Sequence, residues 1–441
     1  MKLKNILLGA TALAAASAAA HAQTEITITG ATAFRTATLQ AIQNAYNAAG
    51  ALGTAYNVAH DGGAGNLTAS NKAVFVGTFP GVSGTTTIRT SFNGSTEGLR
   101  AVALGDVQPE HRPSFLTAAA ITAAGENSGK TSPTETVHPK FSFSDVLQST
   151  SPIASPVLNP ADARVGVVTF TFIANEGAPA NWTNVTNQQW KALLANGVQP
   201  LALFTGSSDD QGTLVFATGR NDGSGTRSTY LAEPGYGVAR TVQQYVATAT
   251  GVGTAGVITE IVRVPAGGTG PGKLATAGGA ANASTLWGLD QNGNGGYASG
   301  SSLRDHMART TASVDVYDPE VGQDPVLEDI PLFLVTFLST ADARTAVSNG
   351  AKLLSYNGVG VTPISGGFSA ADKAKITNGQ YSAWGFQQLY YRGSLTTNEN
   401  AVYTRIRTDL PAALQSTANG LTIGEMSVTR SDDGAPIYFP L

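Results

Sequence analysis

Between Leu214 and Thr226 the chain reads LVFATGRNDGSGT. Leu214 to Thr218 is a β-branched and aromatic run of strand type. Gly219 to Thr226 is a turn of glycine and hydroxyl residues, and helical spacing begins at Thr229. Strand, turn and helix in succession make one α/β unit. The same grammar occurs twice earlier. Glu25 to Thr29 alternates Ile26 and Ile28 with threonines and runs through Gly30-Ala31-Thr32-Ala33-Phe34 into Arg35 to Ala48, where Leu39, Ile42 and Tyr46 share a helical face. Thr86 to Phe92 runs through Asn93-Gly94-Ser95-Thr96-Glu97-Gly98 into a helix holding Leu99, Val102 and Leu104. Further strand signals lie at Val74–Phe79, Phe141–Asp145, Val165–Ile173, Val257–Val264, Ile330–Leu338 and Leu353–Tyr356, and helical ones at Asn187–Leu194 and Ala341–Val347. The alternation predicts an α/β fold with mainly parallel sheets flanked by helices. The run Thr229 to Ala247 has helical character despite Pro234-Gly235-Tyr236-Gly237. Residues 106–140 and 265–300 read as insertions or loops.

Composition sets the outer limits. A chain of 441 residues exceeds one ordinary core, so two lobes are expected. Charged residues are 13% against ~25% in average domains, while 42% are hydrophobic, which excludes charge-driven disorder. The absence of cysteine excludes disulfides, a thiol nucleophile, a cysteine zinc site and a lipid-modified N-terminal cysteine. A net charge of −4 provides no basic surplus for nucleic acid. Lys2 and Lys4, the Ala-rich run from Ile6 to Ala20 and the small-x-small Ala20-His21-Ala22 form an export signal over residues 1–22, with cleavage after Ala22. That run is too short for a permanent span. The expected location is the periplasm or the medium.

The three turns carry the chemistry. Each sets unpaired backbone N–H groups and hydroxyls at a helix N-terminus, where the dipole favours negative charge. Any one of them is also an ordinary helix cap. Together they suit a small oxyanion. Arg220, four residues before Ser224, adds a guanidinium fork that can hold two oxygens of a tetrahedral anion.

Arg220-Asn221-Asp222-Gly223-Ser224-Gly225-Thr226 resembles the Arg-x-Asp-Gly-Ser-Gly-Thr signature of the periplasmic phosphate-binding proteins of ABC transporters. Other segments follow that family's order. Gly30 to Phe34 resembles its first anion loop, Gly94-Ser95-Thr96-Glu97-Gly98 its Gly-Ser-Ser-Gly-Gly loop, and Phe143-Ser144-Asp145 its Ala-Ser-Asp strand end. Asn378-Gly379-Gln380-Tyr381 with Trp384-Gly385 resembles its late turn. The resemblance implies a two-lobed periplasmic-binding-protein fold of type II, with hinge strands between lobes. Residues 23–164 would form the first lobe and 165–350 the second, with 351–441 returning to the first and ending in a C-terminal segment. Arg220, Ser224, Gly225 and Thr226 would bind the anion from one lobe. Thr32, Ala33, Phe34, Ser95, Thr96 and Asp145 would bind it from the other. The carboxylate equivalent to Asp145 accepts a proton-bearing ligand oxygen in that family, which filters out fully deprotonated anions such as sulfate. The implied protein is not an enzyme and needs no cofactor or metal. The resemblance implies a monomer that takes inorganic phosphate or a related oxyanion and delivers it to a membrane ABC permease.

Three departures from the pattern matter. Glu97 stands where the family has Gly, Val146 follows Asp145 in place of Ala-Pro, and Arg35 replaces the Pro after Phe34. Arg35 is placed either to offset Glu97 or on the surface. A Glu97 turned into the cleft would favour the alternative reading, an envelope or secreted adhesion or structural protein that reuses the fold without tight anion binding.

Other motifs fall short of their chemistry. Gly267 to Lys273 approaches a phosphate-binding loop, but Leu274 stands where Ser or Thr must reach Mg²⁺. Asp290 to Gly295 begins like a calcium loop, but Ser301 takes the place of its bidentate Glu. His60, His111, His138 and His306 have no zinc spacing. His60-Asp61 lacks the Gly-x-Ser-x-Gly elbow of a serine hydrolase. Trp384, Phe386, Tyr390 and Tyr391, read at helical spacing, suit core or hinge packing.

Overall fold

The computed structural model describes residues 23–250, 256–264, 295–297, 299–322, 324–417 and 420–440. The export signal and the Gly267–Lys273 loop lie outside the described residues, as does most of the calcium-like loop.

The first half is built on β1 (Thr24–Gly30), α1 (Arg35–Ala49), β2 (Tyr56–His60), β3 (Lys72–Thr78), β4 (Thr85–Phe92), α2 (Ser95–Leu104), β5 (Glu126–Asn127) and β6 (Phe141–Ser144). β7 (Arg164–Ala174) then leads into the second half. This holds α3 (Asn187–Asn196), β8 (Val198–Pro200), β9 (Leu214–Ala217), α4 (Gly225–Ala232), β10 (Tyr245–Ala249), β11 (Val257–Arg263), α5 (Gly300–Met307), β12 (Thr310–Tyr317), β13 (Pro325–Ile330), β14 (Leu332–Ser339), α6 (Thr340–Ser348) and β15 (Lys352–Tyr356). β16 (Trp384–Tyr391) and α7 (Thr397–Thr417) return to the first half.

One long sheet runs through both halves in the order β8-β9-β14-β7-β16-β6-β1-β4-β3-β2-β5, with β15 also on β7. A second sheet has the order β10-β11-β12-β13. The α/β class stands, and the ladders are mixed. β1 is parallel to β4 and β6, and β9 is parallel to β14. The β2–β3, β3–β4, β6–β16, β7–β16 and β7–β14 ladders are antiparallel. Parallel ladders flank the anion turns and recur at β2–β5 and β11–β12. Hairpins and the two crossing strands impose the antiparallel pairings.

Those two strands join the halves. Val165 packs in the first core with Ile28, Phe34 and Phe143, whereas Val167, Val168, Phe170, Phe172 and Ala174 pack in the second with Trp190, Phe337 and Trp384. On the way back, Trp384 and Phe386 belong to the second core and Leu389 to the first. Period-2 alternation along β16 lets its aromatics serve both cores, so the helical spacing read from Trp384 to Tyr391 is corrected to a strand. The expected return at 351 is also corrected. Leu354, Tyr356, Ile376 and Tyr381 still pack in the second core, because β15 pairs with β7 before the chain crosses back.

One segment departs from the sequence expectation, and the insertion at 106–140 is ordered. Helical character was expected from Thr229 to Ala247, but α4 stops at Ala232, ahead of Pro234 and Gly235, and β10 begins at Tyr245. Residues 106–140 fold onto the first half. Ser114–Leu116 pairs with Thr134–Thr136, Leu116 and Ala120 pack on Ala59 and Val74, and Arg89 donates to Glu135 at 2.9 Å.

Candidate anion-binding site

Three of the turns meet at the junction of the halves. Gly30 and Gly94 have φ of +112° and +119°, in the region that favours glycine. Each also lies against backbone: a Cβ on Gly30 would stand 1.9 Å from the Phe143 carbonyl oxygen, and one on Gly94 would stand 2.3 Å from that of Gly223. The Ala31 N–H donates to the Phe143 carbonyl at 2.8 Å and the Gly94 N–H to the Gly30 carbonyl at 3.0 Å, which ties the ends of β1, β4 and β6 into one rim.

α4 faces that rim from the second half. Ser224 caps it, its Oγ accepting from the Arg227 N–H at 3.4 Å. Gly225 lies directly against Asp145, because a Cβ there would fall 1.5 Å from Asp145 Oδ1 and 2.6 Å from Ser95 Cβ. Thr96 Oγ1 and Ser228 Oγ are 3.3 Å apart across the junction. The Glu97 N–H donates to the Gly223 carbonyl at 3.1 Å.

Asp145 is buried at 2% exposure, and its N–H donates to Ser95 Oγ at 3.1 Å. Burial pushes its carboxyl pKa up, with Ser95 and the positive charge of Arg220 opposing. Oδ1 has no hydrogen-bond partner among the described residues, so it can hold or accept a proton from a ligand. Arg220 is equally buried. Its Nε donates to the Tyr297 carbonyl at 2.9 Å. Burial pushes its pKa down, while Asp342 and then Asp145 push it up. Its backbone carbonyl accepts from Arg227 Nη1 at 3.0 Å and Gln244 Nε2 at 3.1 Å, and Gln244 Oε1 accepts from the Tyr230 hydroxyl at 2.8 Å. That buried network fixes the guanidinium's starting point.

The predicted residues divide into three groups. Ser95, Thr96, Asp145, Arg220, Ser224, Gly225 and Thr226 lie buried along the junction. Thr32 and Ala33 line a cavity of about 440 Å³ between the halves, opposite Gly300 and Asp342. Phe34 is in the first core, 5.7 Å ring to ring from Phe143, so it brings only its backbone toward the cleft.

Glu97 stands at the rim of the junction, beside Gly223 of the second half. It pairs with Arg100 on its own helix, and its other oxygen is 3.7 Å from His111 Nδ1. Arg100 also reaches Asp222 of the second half at 3.1 Å, so Glu97 belongs to an ion cluster at the rim. Arg35 does not offset Glu97, and this corrects one expectation for it. It pairs with Asn71 and faces the cavity with Arg304 and Asp342.

Sequence reading missed the wall made by Ser299 to Arg304, Asp342 and the Tyr297 carbonyl. Ser299-Gly300-Ser301-Ser302 before Leu303 has the same hydroxyl-glycine grammar as the three turns. Ser299 caps α5, accepting from the Ser302 N–H at 3.0 Å. Asp342 sits three residues after Ser339, whose Oγ donates to it at 3.2 Å. Among the described residues no group of three or more His, Asp or Glu side chains is placed to hold a metal ion, and no helix is long and apolar enough to cross a membrane.

No family model matches the chain, and no curated protein sequence does. Among solved structures it is similar to an ABC-type phosphate transport receptor from Vibrio cholerae, with TM-score 0.40 and 10% identity over 89% of this chain and 98% of that one. It is also similar to PstS from Borrelia burgdorferi, with TM-score 0.36 and 9% identity over 89% of this chain and 97% of that one.

Proposed function

We propose that this chain is an exported solute-binding protein that takes an oxyanion, phosphate first, into the cleft between its halves and hands it to an ABC permease. The carrying observation is the buried pair formed by Arg220 and Asp145, contributed by opposite halves. Asp145 Oδ1 has no hydrogen-bond partner among the described residues, and Ser95, Ser224 and Thr226 are at hand. A guanidinium and hydroxyls suit the oxygens of a tetrahedral anion, and a buried carboxyl suits one that still carries a proton. Glu97, engaged at the rim, adds no charge at the centre. The halves are joined by two strands, the arrangement on which hinge closure operates. The cleft binds and releases; no catalytic step is assigned to it.

Calorimetric titration of ligand-free protein with phosphate, sulfate and arsenate tests this. Phosphate and arsenate should bind with sulfate excluded, R220A should abolish most of the heat, and D145N should narrow the gap between phosphate and sulfate. Absence of heat for every anion would overturn the reading in favour of a structural protein built on the same fold. One contact favours that second reading: the Glu97 N–H, a donor the anion would use, is already satisfied by the Gly223 carbonyl.

A further inference from the structure

The open volume between the halves does not coincide with the Arg220–Asp145 junction. It lies beside it, as the cavity of about 440 Å³ lined by Thr32 and Arg35 on one side and by Ser302, Arg304 and Asp342 on the other. That is within the ~300–1,000 Å³ of pockets that enclose organic ligands, and far more than one tetrahedral anion fills. The partition between junction and cavity is thin. A Cβ on Gly300, which lines the cavity, would be 3.5 Å from an Arg220 Nη and 2.1 Å from Asp342 Oδ2.

The cavity wall carries two guanidiniums, Arg35 and Arg304, and one carboxylate, Asp342. Arg35 is the first residue of α1, whose first turn holds no acid, so its cation opposes the helix dipole. Its Nε is buried with no hydrogen-bond partner among the described residues. Burial pushes the Arg35 pKa down and the nearby Arg304 cation adds to this, while Asp342 and Asp61 push it up. Arg304 meets Asp305 at 2.7 Å and Asp342 at 3.8 Å. Asp342 is thus a carboxylate neighbour shared by three guanidiniums, those of Arg35, Arg220 and Arg304, while Asp305 lies nearer to Arg304. An anion between Arg35 and Arg304 would accept from the idle Nε and separate two like charges.

We infer that this outer cavity is a second anion subsite, and that the ligand class is a phosphate carrying a second anionic group on a short arm. The inference rests on the proposed capture of phosphate at the junction. One anionic group sits at Arg220 and Asp145, and the other sits between Arg35 and Arg304.

Inorganic diphosphate is the smallest probe, with orthophosphate as reference, each titrated calorimetrically into the whole ligand-free chain. Diphosphate should bind at least about tenfold more tightly, equivalent to ~1.4 kcal/mol. The double variant R35M/R304M should erase that advantage and leave orthophosphate affinity within about twofold, with its thermal melt showing that it is folded. R304M alone, at a half-buried side chain, should give an intermediate loss and stands in if the double variant does not fold. Equal affinity for the two probes, exclusion of diphosphate, or a variant that weakens both probes alike would overturn the outer subsite and leave the junction site standing. Binding of neither probe would overturn both readings.

Discussion

Gly225→Ala separates closure of the halves from stability of the fold. Gly225 opens α4, and glycine there has ordinary helical geometry, so alanine imposes no backbone strain and improves helix propensity by up to ~1 kcal/mol. The added methyl meets the opposite half, 1.5 Å from Asp145 Oδ1, 2.7 Å from its Cγ and 2.6 Å from Ser95 Cβ. Asp145 is buried and Ser95 belongs to α2, so neither can step aside without moving the rim. Overpacking of this kind costs ~1–3 kcal/mol. At 1.4 kcal/mol per tenfold, phosphate affinity should fall by roughly 5–150-fold. On the proposed hinge closure the halves part when the ligand leaves, so the ligand-free melting temperature should hold or rise slightly. Calorimetry supplies the affinity, and small-angle scattering shows whether phosphate still compacts the variant. Wild-type affinity with normal compaction would refute the claim that Gly225 and Asp145 meet on closure.

Two further substitutions test other parts of the assembly. Arg100→Met removes the Arg100–Asp222 pair across the rim; a partly exposed ion pair is worth ~0.2–1 kcal/mol, so phosphate should bind about 1.4–5-fold more weakly, and the difference should shrink in high salt. Burial pushes the Asp433 carboxyl up to about 7, the Leu147 N–H at 2.7 Å holding it back, so the native state keeps a proton that the unfolded chain releases near pH 4. Its contribution is present below about pH 4 and lost as pH rises through about 7, up to ~4 kcal/mol in all. D433N should therefore melt with wild type near pH 4 and progressively above it toward pH 8; a constant gap across that range would dismiss Asp433 as the titrating group.

The α/β units were legible because each announces itself locally. Ile26 and Ile28 alternate, Leu39, Ile42 and Tyr46 recur at helical spacing, and Ser224 and Gly225 mark a cap. What escaped was set by distant partners. Trp384 and Phe386 look helical by spacing, yet pairing with Thr169 and Val167 on β7 makes them strand residues. Tyr245 to Ala249 becomes a strand because β11 lies beside it. The cavity wall at Ser299–Arg304 faces Thr32 only after nearly 270 residues of intervening chain have folded. No local pattern states that neighbourhood, although the cap at Ser299 was visible.

Charge compensation links these observations. Arg220 is buried, and its electrostatic neighbours include Asp145 at the junction and Asp342 at the cavity wall. With both carboxyls ionised, that trio carries a net negative charge, which repels a multiply charged anion. Two routes lift the objection, and the structure holds the parts for each. Asp145, whose pKa burial raises, can be the neutral member, so that one hydrogen bond to the ligand replaces a repulsion. Alternatively Asp145 stays ionised until the ligand arrives and accepts a hydrogen bond from an oxygen of the ligand that still carries its proton. The routes differ in measurable proton uptake. The complex holds one proton between Asp145 and the ligand in either case, so binding that starts from ionised Asp145 takes up one proton more, counted together with the ligand's own protonation, than binding that starts from neutral Asp145; calorimetry in buffers of different ionisation enthalpy reads that difference.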